Sequence, residues 1–200
     1  MLDDALDSLA PWGTTPAYVV DRNQDLLAIN SLGRFFVPFP VSRGVNFNET
    51  VVEGARAEAS RATEDTPRHL EFWSAAIAQL TAALRYHADF DDPRLEEIVA
   101  TLSSKSRTFR EVWASHEARP LREGQAAVAI PPFGFIDFHW QTLQMPAGDQ
   151  FLTSFFGYPD TPAAAAIEFL TARAKLDRQL AGSKGQPTIT PADISTRLPK

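Results

Sequence analysis

The sequence AYVVDRNQDLLAI, residues 17–29, predicts a β-hairpin, and the position of this hairpin in the chain decides the fold. β-Branched and aromatic residues favour the first strand, the polar residues from Asp21 to Asp25 suit a turn, and the apolar pattern resumes at Leu26. Pro16 stands just before the first strand, where its missing N–H costs a sheet least. The next strand-like stretch begins only at Gln125.

The later strands share the end of the chain. Gln125 to Ile130 is short and apolar, a strictly alternating strand begins at Gly134, and Phe151 to Phe156 is the last one. If these strands join the hairpin in one antiparallel sheet, the segment between is tied to the sheet at both ends, so it must lie across one face. We therefore expect an α+β fold, an antiparallel sheet with a long helical insertion covering one face. A cup with a lid of this kind is typical of small-molecule binding domains.

Apolar residues spaced three and four apart predict helices in the insertion. The first helix begins near Phe47, and the second spans Pro67 to His87. A third starts at Pro93, directly after two aspartates, and a fourth covers Phe109 to His116 after a run of serines. A further helix runs from Thr161 to about residue 180. We expect residues 1–180 to form a single domain, and residues 181–200, which are rich in Gly and Pro, to form a flexible tail.

Composition excludes several classes of function. The chain of 200 residues is 44% hydrophobic, has a formal net charge of -6 and contains no cysteine, so thiolate metal sites, disulfides and cysteine nucleophiles are absent. The acidic balance argues against nucleic-acid binding by this chain alone. No signal peptide and no apolar run of roughly 20 residues occurs, so we expect a cytoplasmic protein that does not bind membranes.

Motifs for common cofactors are missing as well. The sequence contains no P-loop, GxGxxG or GxSxG, and its four histidines show neither HxxxH nor HxH spacing. We therefore expect no metal and no cofactor, with haem binding by His116 left as an open alternative.

The alternating strand supplies one wall of the expected pocket. Ile136, Phe138 and Trp140 share one face and should look toward the lid, since successive strand side chains point to opposite faces. The other candidate ligand-binding residues are apolar and aromatic, and come from the helices and from the phenylalanine-rich segment 35–39: Phe36, Trp73, Ile77, Leu80 and Trp113. Such a lining suits a hydrophobic ligand, since affinity then comes from apolar area removed from water. The alternative is that these side chains simply fill the core.

Two further candidates, Arg110 and His116, could recognise a polar group. Arg110, Trp113 and His116 are three apart, so on one helical face they could place a cation and an imidazole at the pocket mouth to hold a carboxylate. The alternatives are a surface ion pair for Arg110 and a helix C-terminal position for His116. Asn30, just after the second strand, is expected to bond the backbone as a helix N-cap rather than to bind a ligand.

An enzymatic interpretation would need an acid/base pair. Asp137 and His139 are two apart on one strand face and could be the catalytic residues, with Arg110 and His116 as the alternative pair for proton transfer or substrate orientation. A polar outer face of the sheet explains them more simply.

The order of these elements resembles the C-terminal ligand-binding domain of MmyB-like transcription regulators, a PAS-like domain. The matching pieces are the hairpin from Pro16 to Asn30, the stretch from Asp91 to Leu95, the stretch from Ser106 to His116 with its Phe-Arg-x-x-Trp-x-x-His pattern, the alternating strand from Gly134, and Phe151 to Tyr158. The resemblance covers about residues 5–172. It departs from the family at residues 61–68, which lack the usual Asp-Trp-Glu-like stretch.

The resemblance implies a sensor of small hydrophobic ligands, fatty-acid-like or polyketide-like, that regulates transcription. Family domains normally follow a helix-turn-helix domain of the XRE type, whereas Met1 stands close to the first strand here, so a shortened chain and a stand-alone member are both open. Two alternatives to the sensor remain: a stand-alone PAS-like biosynthetic enzyme acting on a hydrophobic molecule, and a dimerisation module whose pocket is filled by its own side chains. A homodimer is compatible with each.

Overall fold

The computed structural model describes residues 9–37, 42–61, 66–146 and 148–183. Within them, five strands form one sheet: β1 (Ala17–Asp21), β2 (Leu26–Ile29), β3 (Glu123–Ile130), β4 (Gly134–Gln144) and β5 (Gln150–Phe156). The α-helices are α1 (Phe47–Arg61), α2 (Thr66–Tyr86), α3 (Pro93–Lys105), α4 (Arg107–Ala114) and α5 (Pro162–Ser183), and short 3-10 helices occur at Ala10–Trp12 and Gly33–Phe35.

The hairpin and the late strands share one antiparallel sheet, as predicted from their positions in the chain. The strand order is β2-β1-β5-β4-β3, and β1 pairs with β5 so that Val19 lies opposite Leu152. All four helices from α1 to α4 lie between β2 and β3 in the chain. The predicted α+β class, with a long helical insertion between strands of one sheet, is confirmed.

Capping explains where the middle helices begin. The Asp92 side chain accepts a hydrogen bond from the backbone N–H of Arg94, and Pro93 occupies the first turn of α3. Ser106 ends α3 and begins α4, because its extended backbone breaks the helix and its hydroxyl accepts from the N–H of Phe109. The predicted helix start at Pro93 is confirmed. Of the serines predicted to interrupt the helix, Ser106 does so, whereas Ser103 and Ser104 lie within α3.

The core has two main parts. The helical layer packs on itself through Val51, Val52, Ile77, Leu80, Leu84, Leu95, Ile98, Leu102 and Phe109. A second cluster joins one face of the sheet to α5 and to the end of the 3-10 helix Gly33–Phe35. Its members include Tyr18, Phe36, Ile136, Phe138, Trp140, Phe155, Ala166 and Leu170. Phe47 and Leu121 pack against both clusters, so they join the two layers.

The opposite face of the sheet is also covered at β1 and β5. Leu9 and the partly buried Trp12 pack there against Val19, Ala28 and Leu152. This explains why four consecutive residues of β1, Ala17 to Val20, are all buried rather than alternating.

Polar side chains of the hairpin turn tie the sheet to the helices. The Gln24 amide donates to the Leu80 carbonyl at 2.9 Å and accepts from the Asn48 amide at 2.7 Å. Arg94 of α3 donates two hydrogen bonds of 2.8 Å to the carboxylate of Asp25. One short turn therefore contacts three different helices.

Some predicted features lie outside the described residues: Phe39 in the phenylalanine-rich segment, and residues 184–200 of the expected tail. α5 continues to Ser183, slightly beyond the predicted boundary at residue 180. In the described part of the chain, no helix has the length and apolar character needed to cross a bilayer.

Candidate functional site

A cavity of about 720 Å³ lies between the sheet and the helices α1 and α2. Buried apolar and aromatic side chains form much of its wall, among them Tyr18, Phe36, Val51, Leu80, Trp140 and Phe155. Exposed residues, including Arg34, Gln125, Phe135 and Asp137, line it as well and mark where it reaches the surface. Its volume lies within the range typical of small-molecule sites.

Ring contacts hold this wall in place. Phe36 meets Phe138 edge to face at 4.7 Å between ring centroids and lies 4.8 Å from Phe155. Tyr18 stacks on Phe47 at 4.6 Å, which joins β1 to the first turn of α1. Aromatic pairs at these distances add to the stability that burial alone provides.

Four of the ten predicted ligand-binding residues line the cavity: Phe36, Trp73, Leu80 and Trp140. Ile77 belongs instead to the core of the helical layer. Ile136 and Phe138 are buried on the same sheet face as Trp140, as their alternation predicts, and all three pack in the cluster that includes Leu170 of α5. Of the three, Trp140 also lines the cavity.

Arg110, Trp113 and His116 lie away from this cavity. α4 ends at Ala114, and His116 follows it with a φ of 60°, so the expectation that all three share one helical face does not hold for His116. Arg110 donates to the Ser103 carbonyl at 2.6 Å, and Trp113 stacks on Phe109.

Arg85 of α2 contacts both Trp113 and His116. Its guanidinium lies 4.8 Å from the centroid of the Trp113 ring and contacts His116 Nδ1. This cluster therefore fastens α4 and the following turn to α2.

Asp137 and His139 have different surroundings in the structure. Asp137 lines the cavity, whereas His139 packs between Phe156 and Tyr158 and has its Nε2 3.5 Å from the Gln125 amide nitrogen. The two side chains therefore do not meet at a common point of the cavity wall.

Two polar residues of the wall were not anticipated from the sequence. Glu58 of α1 and His69 of α2 both line the cavity, and His69 Nδ1 lies 2.6 Å from Glu58 Oε1. The side chains are 10% and 17% exposed, and the His69 ring lies 4.2 Å from that of Phe135. A signal for His69 exists in the sequence, because His69, Trp73, Ala76 and Leu80 follow one another at helical spacing.

A row of hydroxyls crosses the sheet beside Leu80. Tyr18, Thr153 and Thr142 stand opposite one another on β1, β5 and β4, and the two threonine hydroxyls are 2.8 Å apart. Burial raises the pKa of Tyr18 to about 12, although a hydrogen bond with Thr153 opposes the shift. Tyr18, Thr153 and Leu80 also line a second, much smaller space of about 20 Å³, enough for one water.

Comparison with known proteins agrees with this geometry. The family described as MmyB-like transcription regulator ligand binding domain matches residues 3–170. No curated protein matches the sequence. Because the matched range includes the whole sheet and the first four helices, the chain belongs to the family of MmyB-like transcription regulator ligand-binding domains.

Proposed function

We propose that this domain binds a small hydrophobic ligand in the cavity between the sheet and α2, as the sensor part of a transcription regulator. The observation that carries the proposal is the cavity itself, about 720 Å³ of space between aromatic walls that the side chains leave open. A core filled by its own side chains would be expected of a module that only dimerises. Membership of the family supports a regulatory role for ligand binding.

The proposed mechanism is a shift between two arrangements of the helices. Leu80 lines the cavity, and its carbonyl accepts the hydrogen bond from Gln24 in the hairpin turn. A ligand that favours one position of α2 would therefore also act on the turn and, through Asp25 and Arg94, on α3. The change would then reach an attached or partner DNA-binding domain.

The biosynthetic enzyme is the second candidate, but neither of the two residue pairs proposed for it, Asp137 with His139 or Arg110 with His116, lines the cavity as a pair. Asp137 lines the cavity and His139 does not. No observation in the described residues favours this candidate over the sensor.

Filling the cavity tests the proposal directly. Ala76 lines the cavity from α2, so Ala76→Trp should block it and weaken binding of the uncharged fluorescent probe N-phenylnaphthylamine by at least about tenfold. Ala100→Trp is the matched control, because Ala100 is exposed on α3. The measurement is a fluorescence titration of each variant. Equal affinity of the probe for all three proteins would overturn the proposal.

The natural ligand can be sought in the same preparation. Native mass spectrometry of the purified protein should show a mass above that of the chain alone. Denaturing extraction should then release a hydrophobic small molecule that accounts for the difference. The same masses should be missing from Ala76→Trp.

A further inference from the structure

Strand β3 is one edge of the sheet, and the cavity runs along this edge. The consecutive residues from Gln125 to Ala129 all line the cavity, although successive side chains of a strand point to opposite faces of the sheet. Ala126 and Val128 pack against the core cluster on one face, so the side chains of Ala127 and Ala129 point to the other face. A cavity that touches both sets must reach the strand from its open edge.

The register of β3 and β4 fixes which backbone groups point toward this edge. Arg122 and Thr142 continue the register of the two strands, and the Thr142 N–H donates to the Arg122 carbonyl at 2.6 Å. In an antiparallel pair, such hydrogen-bonded positions alternate with positions whose N–H and C=O groups point away from the partner strand. Ala127 is five residues after Arg122, an odd number, so its N–H and its carbonyl point away from β4.

These edge groups are unpaired in the described part of the chain. Neither the N–H nor the carbonyl of Ala127 has a hydrogen-bond partner among the described residues. At the opposite edge of the sheet, by contrast, the Leu26 N–H donates to the Val45 carbonyl at 2.9 Å, and the Leu26 carbonyl accepts from the Gly44 N–H at 2.8 Å. Residues 124–129 also contain neither a charge nor a proline, the side chains that commonly protect an edge strand.

An open N–H and an open C=O on one residue match a ligand that carries the same two groups. Two residues that form a hydrogen-bonded pair in an antiparallel sheet exchange two N–H···O bonds, so a single amino-acid unit of a ligand can pair with Ala127. Buried aromatic side chains, among them Phe36 and Phe155, line the same cavity and suit a hydrocarbon chain attached to that unit.

We propose, on the basis of the function proposed above, that the ligand is an N-acylated amino acid whose amino-acid unit adds to the edge of β3. The N–H of this unit donates to the Ala127 carbonyl, and its C=O accepts from the Ala127 N–H. The acyl chain lies in the apolar part of the cavity. A plain fatty acid has no N–H at this point, so it would leave the Ala127 carbonyl without a partner.

Two probes of matched shape test the proposal. N-dodecanoylalanine methyl ester carries the amide N–H, whereas O-dodecanoyl-lactate methyl ester of the same configuration has an oxygen in its place. Each is titrated against the wild-type protein loaded with N-phenylnaphthylamine. We expect the amide probe to bind about fivefold more tightly, because the ester probe cannot donate to the Ala127 carbonyl. Equal affinities of the two probes would overturn the inference and leave the proposed function standing.

A proline substitution tests the protein side of the same contact. Ala127→Pro removes the N–H that points to the edge and keeps the hydrogen bonds between β3 and β4. It should weaken the amide probe by at least about fivefold and change the affinity for N-phenylnaphthylamine by less than about twofold. Glu123→Pro is the matched control, because the Glu123 N–H points to the same edge but Glu123 does not line the cavity. This control should bind both molecules like the wild-type protein.

An unchanged affinity of Ala127→Pro for the amide probe would contradict the inference, and so would an equal loss in Glu123→Pro. The two matched probes are compared on the wild-type protein, so their result decides even if circular dichroism shows that Ala127→Pro does not fold. If neither N-phenylnaphthylamine nor either probe binds the wild-type protein, the proposed function falls together with the inference.

Discussion

At the scale of single residues, Asn30 shows how one side chain can satisfy several backbone groups next to a strand. Its side-chain oxygen accepts from the N–H groups of Ala17 and Gly33, and its amide donates to the carbonyls of Trp12 and Thr15. Four backbone groups that lie outside the sheet ladder are thereby satisfied. The expectation that Asn30 bonds the backbone is confirmed, although the N-cap of the 3-10 helix that follows is Leu32 rather than Asn30.

Tyr18 makes stability depend on pH in the alkaline range. Its pKa is raised to about 12 in the folded protein because the ring is only 3% exposed, while an unfolded tyrosine titrates near 10. The neutral form is favoured by folding, so this contribution is complete below about pH 10 and is lost as the pH rises toward 12. We expect a loss on the order of 2 to 3 kcal/mol in the free energy of unfolding.

Urea unfolding at about pH 9 and about pH 11.5 measures this loss. Tyr18→Phe, which cannot ionise, should show a smaller decrease than the wild-type protein. The same decrease in both proteins would assign the alkaline effect to other groups.

At the scale of elements, helix boundaries were predictable while helix neighbours were not. Asp92-Pro93 and Ser106 mark helix ends through local hydrogen bonds that the sequence itself encodes. In contrast, the apolar residues of α2 serve two partners: Trp73 and Leu80 line the cavity, whereas Leu84 is fully buried in the helical layer. A single apolar stripe cannot reveal this division, because periodicity identifies a buried face but not what covers it.

Gln24 links three elements and should be sensitive to replacement. Gln24→Met keeps the approximate size but removes the hydrogen bonds to the Leu80 carbonyl and the Asn48 amide. Because the Asn48 amide would remain buried without this acceptor, we expect the free energy of unfolding to fall by about 1 to 3 kcal/mol.

Gln141→Met, on a partly exposed position of β4, is the control for the Gln24 prediction and should change stability little. Urea titration of both variants gives the comparison. Similar midpoints for the two would mean that the hairpin turn is not held in this way.

At the scale of the whole molecule, an open cavity should make stability depend on its occupant. A molecule that binds only the folded state stabilises it by about 2.7 kcal/mol at one hundred times its Kd. For a chain of this size that corresponds to a rise in Tm of roughly 5 to 10 °C. We expect saturating N-phenylnaphthylamine to raise the Tm of the wild-type protein, measured by circular dichroism.

The same melting experiment on Ala76→Trp should show no shift, because its cavity is blocked, while Ala100→Trp should respond like the wild-type protein. A wild-type Tm that does not respond to saturating probe would show that the probe does not bind the folded state in preference to the unfolded state, which contradicts the prediction.

The sequence by itself determined the elements, their order along the chain and the membership of the family. Period, turn residues and caps act within a few residues of one another, so the strands at 17–29 and the helix start at Pro93 could be recognised directly. The shared antiparallel sheet was the premise from which a helical insertion tied at both ends followed, and the structure confirms this sheet.

Only the tertiary structure decided which polar groups meet at the cavity. Glu58 and His69 lie on different helices, and of the buried residues Ile136, Phe138 and Trp140, which pack in one cluster, Trp140 lines the cavity. Such contacts depend on how helices pack across the sheet, and packing is set by the sum of many distant contacts rather than by local sequence. The predicted polar mouth at Arg110 and His116 does not line the cavity, whereas Glu58 and His69 do.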